Sequence, residues 1–161
     1  MILITKISLF IVLGLITFQD IREKKVSWIL FPITGLLLFV LYKDKTIIQY
    51  SYVFLIINII LITSILAIVF LYTRIVRGMK FLNVSFGLGD VLFFYAFAFG
   101  FPTVTFLILF VSSIIFSLLV SLTQKKENTA NGIPLAGLMS LFLVFVLSID
   151  FLPNLPSLYN F

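Results

Sequence analysis

Six apolar stretches follow one another along this chain and are separated by short polar connections. They run over Ile2 to Phe18, Val26 to Tyr42, Val53 to Tyr72, Phe81 to Phe101, Val104 to Leu122 and Ile133 to Ile149. A helix needs roughly 20 apolar residues to cross the hydrocarbon core of a bilayer, and about 17 to 25 are usual. Each stretch therefore predicts one transmembrane helix.

The low content of charged residues points to the same class of protein. Only 11% of the residues are charged, whereas about a quarter are charged in a soluble domain. Such a chain has too little polar surface to cover a water-soluble core. We therefore expect an all-α polytopic membrane protein, in which residues 1–161 form a single domain built as a bundle of six transmembrane helices in the lipid bilayer.

The basic residues are unevenly distributed between the two ends of the expected bundle. Eight of them lie in the first, third and fifth connections, namely Arg22, Lys24, Lys25, Arg74, Arg77, Lys80, Lys125 and Lys126. The opposite side holds Lys6, Lys43 and Lys45. Because short cytoplasmic loops are enriched in Lys and Arg, we expect the odd-numbered connections in the cytoplasm and both termini outside. Setting the orientation also accounts for the net charge of +5, without a nucleic-acid partner.

The residue inventory restricts the chemistry that the chain can perform. Neither Cys nor His is present, which excludes zinc sites built on thiolate or imidazole, Cys nucleophiles and Ser-His pairs. Carboxylates remain as the usual hydrolytic groups. The expected chemistry therefore needs no metal or other cofactor.

Two carboxylates, Asp20 and Asp90, lie at the edges of apolar stretches. An ionisable group at membrane depth is costly and is by default a candidate functional residue. Asp20 ends the first stretch on the expected cytoplasmic side, and Asp90 lies early in the fourth, which starts from that side. We therefore expect the two side chains to meet and share one proton as a catalytic pair. The ionised member would activate a water, and the protonated member would polarise the scissile carbonyl.

Two glycines, Gly87 and Gly89, precede Asp90. Without a Cβ, they would let the backbone leave helical geometry and let a substrate strand or the first helix come close. They are predicted to shape the site.

The string Gly87-Leu88-Gly89-Asp90-Val91 resembles the GxGD signature of the type IV prepilin peptidases and archaeal preflagellin peptidases, which are aspartyl intramembrane proteases. The segment from Asp20 to Ser27 is similar to the family's first catalytic segment. The segment from Asn131 to Gly137 is similar to the family's Ile-Pro entry to a late helix. The chain departs from the common pattern at Leu92, where many members carry Lys, and at Val26-Ser27-Trp28, which replaces Ile-Pro-Asn.

This resemblance implies an aspartic endopeptidase in the cytoplasmic membrane of a prokaryote, with Asp20 and Asp90 as its catalytic residues. Its substrate would be a pilin-like precursor of a type IV pilus or protein secretion system, cut at the cytoplasmic face between a short basic leader and an apolar helix. Larger members carry a cytoplasmic domain with zinc-binding cysteines and methylate the new N-terminus. Because the chain has no Cys, the resemblance is to the short form, and we expect no methylation.

Two other functions are compatible with the same residues. An ion- or proton-coupled transporter could use Asp90 at a broken helix, and a noncatalytic assembly subunit could use both acids for orientation alone. Gly-x-Gly can also serve only to allow close helix packing, and Asn58, inside the third stretch, is expected to form an interhelical hydrogen bond. Asp150 is expected to be solvated.

Overall fold

The computed structural model describes residues 2–46, 48–75, 87–123, 134–150 and 158. These residues form an all-helical fold. The six helices are α1 (Ile2–Glu23), α2 (Leu30–Lys45), α3 (Ile48–Ile75), α4 (Leu88–Ala98), α5 (Thr103–Thr123) and α6 (Leu135–Asp150).

Three of these helices, α1, α3 and α5, are long and apolar enough to cross a membrane. The expectation of an all-α chain with membrane-spanning helices is confirmed to this extent. At a rise of about 1.5 Å per residue, the 16 residues of α6 cover roughly 24 Å and the 11 residues of α4 roughly 16 Å. Part of the fourth predicted stretch, residues 81–86, lies outside the described residues.

The end of α1 and the start of α2 differ from the boundaries of the apolar stretches in the sequence. Helix α1 continues past Phe18 to Glu23, so that Asp20 lies inside the helix. Lys24, the residue after the helix, has a positive φ of 52°, the left-handed conformation that commonly terminates helices. Helix α2 begins at Leu30, four residues after the predicted start at Val26, and in the segment before it the backbone N–H of Ser27 donates to Gln19 Oε1 at 3.0 Å.

The end of α4 is held by a polar side chain from α3. Asn58 is fully buried, and its Nδ2 donates to the carbonyl oxygens of Ala98 at 3.1 Å and Phe101 at 2.9 Å. The last carbonyl groups of a helix have no partner within the helix, so Asn58 supplies donors where α4 stops. The prediction that Asn58 forms an interhelical hydrogen bond is confirmed.

The short helix α4 lies in the middle of the bundle and contacts α2, α3, α5 and α6. Its buried residues are Phe93, Phe94, Ala96, Phe97 and Ala98. The phenylalanine rings of α4 pack edge to face with those of α2 and α5, as Phe31 with Phe93 and Phe94 with Phe110. Helix α1 packs most extensively on α6 and also on α2. The ends of α1, α4 and α6 are thereby brought to one region.

Candidate functional site

Asp20 lies at the end of a row of buried residues on α1, and the other residues of that row are apolar. The buried residues of α1 are Leu9, Leu13, Ile16 and Asp20. Their spacing of four, three and four residues places them in one stripe along a helix. Asp20 is 8% exposed, so a carboxylate ends the stripe with which α1 packs into the bundle.

Asp90 is the third residue of α4, and its side chain is partly exposed. Gly87 precedes the helix with an extended backbone. The backbone N–H groups of a first helical turn lack partners within the helix and favour a negative charge. Asp90 therefore lies where a carboxylate is stabilised by its own helix.

The two carboxylates meet at the beginning of α6. The backbone N–H of Ala136 donates to Asp90 Oδ1 at 2.9 Å, and the N–H of Gly137 donates to Asp20 Oδ2. These are consecutive residues, whose Cα atoms lie about 3.8 Å apart in a trans chain. The structure thus brings together the two acids that the sequence paired.

The local sequence explains why α6 has free donors at this point. Pro134 precedes the helix, and its carbonyl accepts the first helical hydrogen bond from Leu138 at 3.1 Å. The N–H groups that follow are usually satisfied by a Ser, Thr, Asp or Asn side chain at the capping position. Proline has no such side chain, and Asp20 and Asp90 take that place from two other helices.

Gly137 allows α1 to come unusually close to α6. A Cβ at this position would lie 2.8 Å from the Asp20 Cβ and 3.0 Å from its Oδ2. Neither distance is compatible with an ordinary contact between non-bonded atoms, which prefer separations of about 3.5 to 4.0 Å. Any larger residue at this position would separate Asp20 from the backbone N–H that it binds.

The two glycines before Asp90 have different surroundings. A Cβ on Gly87 would lie 2.8 Å from Asp90 Oδ2, so Gly87 borders the site directly. Gly89 lies inside α4, and its Cβ would meet the ring of Phe31 at 3.4 Å. Among the described residues, the neighbour of Gly89 is therefore α2. The sequence had suggested that a substrate strand or the first helix would lie there instead.

Sequence reasoning missed the backbone N–H groups of Ala136 and Gly137 as site components. Both residues belong to the segment that resembles the family's late helix, of which Asn131, Gly132 and Ile133 lie outside the described residues. The signal that could have found them is Pro134, because a helix that starts after proline without a capping side chain needs acceptors from elsewhere.

Asp150 is partly exposed, and its Oδ1 accepts a hydrogen bond from the backbone N–H of Leu158 at 3.1 Å. It lies at the last residue of α6, at the opposite end from the paired acids. In the described part of the chain, no group of three or more acidic, His or Cys side chains could hold a metal ion.

No protein-family model, curated protein or solved structure matches this chain. A functional assignment must therefore be argued from the paired acids, the motifs around them and the elements that hold them.

Proposed function

We propose that this chain is an aspartyl intramembrane endopeptidase of the type IV prepilin peptidase kind. It removes the short leader of a pilin-like precursor at the cytoplasmic face of a prokaryotic cytoplasmic membrane. The observation that carries the proposal is the meeting of Asp20 and Asp90 on consecutive N–H groups of α6. The two acids are 70 positions apart in sequence and are held at one point in an otherwise apolar bundle. An aspartyl protease needs such a pair of carboxyl groups for catalysis.

The proposal includes six membrane crossings with both termini outside. In this arrangement the end of α1 and the beginnings of α4 and α6 all lie on the cytoplasmic side, because each borders an odd-numbered connection. Six alternating crossings require these three helix ends to lie at one face. The contact of the beginning of α6 with both acids supports that part of the arrangement.

In the proposed reaction the two carboxyl groups share one proton. The ionised carboxylate takes a proton from a water, and the resulting hydroxide attacks the scissile carbonyl. The protonated carboxyl group donates a hydrogen bond to the carbonyl oxygen and later protonates the leaving amine. The N–H groups of Ala136 and Gly137 hold the carboxylates in place during these transfers, since they belong to the rigid first turn of a helix.

The test is cleavage of a pilin-like precursor by the purified chain in liposomes, comparing wild type with Asp20→Asn and Asp90→Asn. Asparagine keeps an oxygen that accepts the α6 hydrogen bond but cannot transfer a proton. We expect each variant to lose at least about 100-fold in cleavage rate, the lower range of general acid–base catalysis. Asp44→Asn is the matched control, because Asp44 is an exposed acid at the end of α2.

The outcome separates the three functions that the residues permit. Loss of cleavage in both site variants, with unchanged thermal unfolding, supports the peptidase. Normal processing by both variants would overturn the assignment of Asp20 and Asp90 as the catalytic pair. A wild type that neither cleaves precursor nor conducts protons would favour the noncatalytic assembly role. A proton flux that depends on Asp90, without any cleavage by the wild type, would favour the transporter.

A further inference from the structure

A pair of hydroxyl groups lies beside the contact between Asp20 and Gly137. Thr17, one turn before Asp20 on α1, has its Oγ1 2.7 Å from Ser140 Oγ on α6. Ser140 Oγ donates to the Gly137 carbonyl oxygen at 2.8 Å, and Thr17 Oγ1 lies 3.3 Å from the same oxygen. We call Thr17, Gly137 and Ser140 the α1–α6 clasp.

The clasp links both the backbone N–H and the backbone carbonyl group of Gly137 to α1. The N–H of Gly137 binds the Asp20 carboxylate, and its carbonyl oxygen is bound by the hydroxyl pair. Each hydroxyl has a single proton. With Ser140 donating to the Gly137 carbonyl oxygen and Thr17 donating to Ser140, both protons are used and the hydroxyl pair joins α1 to α6. The Leu13 carbonyl, 2.9 Å from Thr17 Oγ1, is the competing acceptor within α1.

The geometry of such contacts indicates their role. Association of membrane helices is driven by van der Waals packing and by interhelical hydrogen bonds. Hydrogen bonds require defined distances and angles. The hydroxyl pair therefore constrains the register of α1 on α6.

We propose that the clasp positions Asp20 for catalysis, with Thr17 and Ser140 as positioning residues that do not contact the reacting atoms. This inference rests on the proposed peptidase function. If α1 slides or rotates on α6, the Asp20 carboxylate leaves the Gly137 N–H and its alignment with Asp90. A misplacement of about 1 Å in an active site can cost about 100-fold in rate.

The first experiment replaces the hydroxyl groups and measures kcat and KM for precursor cleavage. Thr17→Val keeps the shape of the side chain and removes the hydroxyl, Ser140→Ala removes its partner, and Thr17→Ser restores a hydroxyl. We expect kcat to fall about 10- to 100-fold in the first two variants. KM should change little, and Thr17→Ser should retain most of the wild-type kcat.

Thr63→Val is the matched control. Thr63 Oγ1 lies 3.0 Å from Tyr95 Oη, so it too joins two helices through a hydroxyl pair, but it lies on α3 and contacts neither acid. We expect wild-type kcat for this variant. An equal fall of kcat in Thr63→Val and Thr17→Val would show a general packing effect and overturn the positioning role.

The second experiment tests the geometry without relying on catalysis. The chain has no Cys, so Thr17→Cys with Ser140→Cys gives a clean background for one disulfide across the clasp. We expect oxidation to cross-link α1 to α6, detected by protease digestion in one added loop site, and to leave the cleavage activity no lower than that of the same double-Cys variant in its reduced form. Failure to cross-link would contradict the contact, and a loss of activity that reduction restores would show that the helices must separate.

The two proposals fail in different ways. Wild-type kcat in Thr17→Val, Ser140→Ala and their combination, beside inactive Asp20→Asn, would refute the clasp and keep the peptidase. An inactive wild type together with an efficient cross-link would refute both catalytic assignments while confirming the contact between α1 and α6.

Discussion

Asp90 Oδ1 lies 2.9 Å from the backbone nitrogen of Ala136, 46 residues further along the chain. The next backbone nitrogen, that of Gly137, binds Asp20. The first turn of α6 therefore aligns two side chains that no local interaction would bring together. A helix terminus is a rigid support, because its free N–H groups are fixed in direction by the helix behind them.

The fit of α1 against α6 depends on the missing side chain of Gly137. We expect Gly137→Ala to lower cleavage by at least about 10-fold and to destabilise the fold by about 1 to 3 kcal/mol, the usual range for overpacking. The added Cβ would lie 2.8 Å from the Asp20 Cβ, an atom near the backbone that cannot turn away. Cleavage kinetics and unfolding in a denaturing detergent measure the two effects.

Gly14→Ala is the control for that substitution. Gly14 also lies in a helix, but beyond its chain neighbours and the nearby backbone of that helix, no described heavy atom lies within 4 Å of the position its Cβ would take. Alanine is a better helix former than glycine, so we expect unchanged activity and equal or slightly higher stability. Comparable losses in both variants would mean that the contact at Gly137 is not the cause.

Much of the architecture could be predicted from apolar length alone. The long apolar runs that predicted the first, third and fifth helices were sufficient, because a segment that enters a bilayer must satisfy its backbone hydrogen bonds internally, and a helix does so. The ends of helices were less predictable. Helix α1 runs five residues past Phe18, because polar residues such as Arg22 and Glu23 continue a helix as readily as apolar ones.

The site itself was predictable in part. Asp20 could be paired with Asp90, because both residues lay at the same expected face of the membrane. The surroundings of Gly89 could not be predicted, because the neighbour that fills the space beside a glycine depends on long-range packing. Here that neighbour is the ring of Phe31. The backbone donors of α6 escaped notice because a backbone N–H carries no signature of its own in a sequence.

The proposed sharing of one proton makes activity dependent on pH. At high pH both carboxyl groups ionise, the acid that polarises the carbonyl is lost, and the rate should fall. At low pH both are protonated, the base is lost, and the rate should fall again. We therefore expect a bell-shaped profile of kcat from about pH 4 to pH 10, with circular dichroism at each pH to confirm folding. A rate that still climbs well above neutrality contradicts the shared proton.

Asn58 is expected to matter for stability because it holds the end of α4. Asn58→Ala removes two buried hydrogen bonds, and each such bond contributes about 0.6 kcal/mol on average within a membrane. We expect a loss of about 1 kcal/mol in the free energy of unfolding. Its Oδ1 has no hydrogen-bond partner among the described residues, so removing that atom offsets part of the loss. Ser64→Ala, which removes a hydrogen bond from an exposed hydroxyl on the same helix, should change stability by less than about 0.5 kcal/mol.

The proposed six crossings require α2 to span the membrane, although its 16 residues cover only roughly 24 Å of a core about 30 Å thick. Lys25 precedes α2 and Lys43 lies near its end, and both side chains are exposed. We expect Lys25→Cys to react with a membrane-impermeant maleimide only in inverted vesicles. Lys43→Cys should react only in right-side-out vesicles, and both should react in detergent. The native chain has no Cys and gives no background. Labelling of both positions from one side would show that α2 does not cross, and the orientation that places Asp20 and Asp90 at the cytoplasmic face would then be wrong.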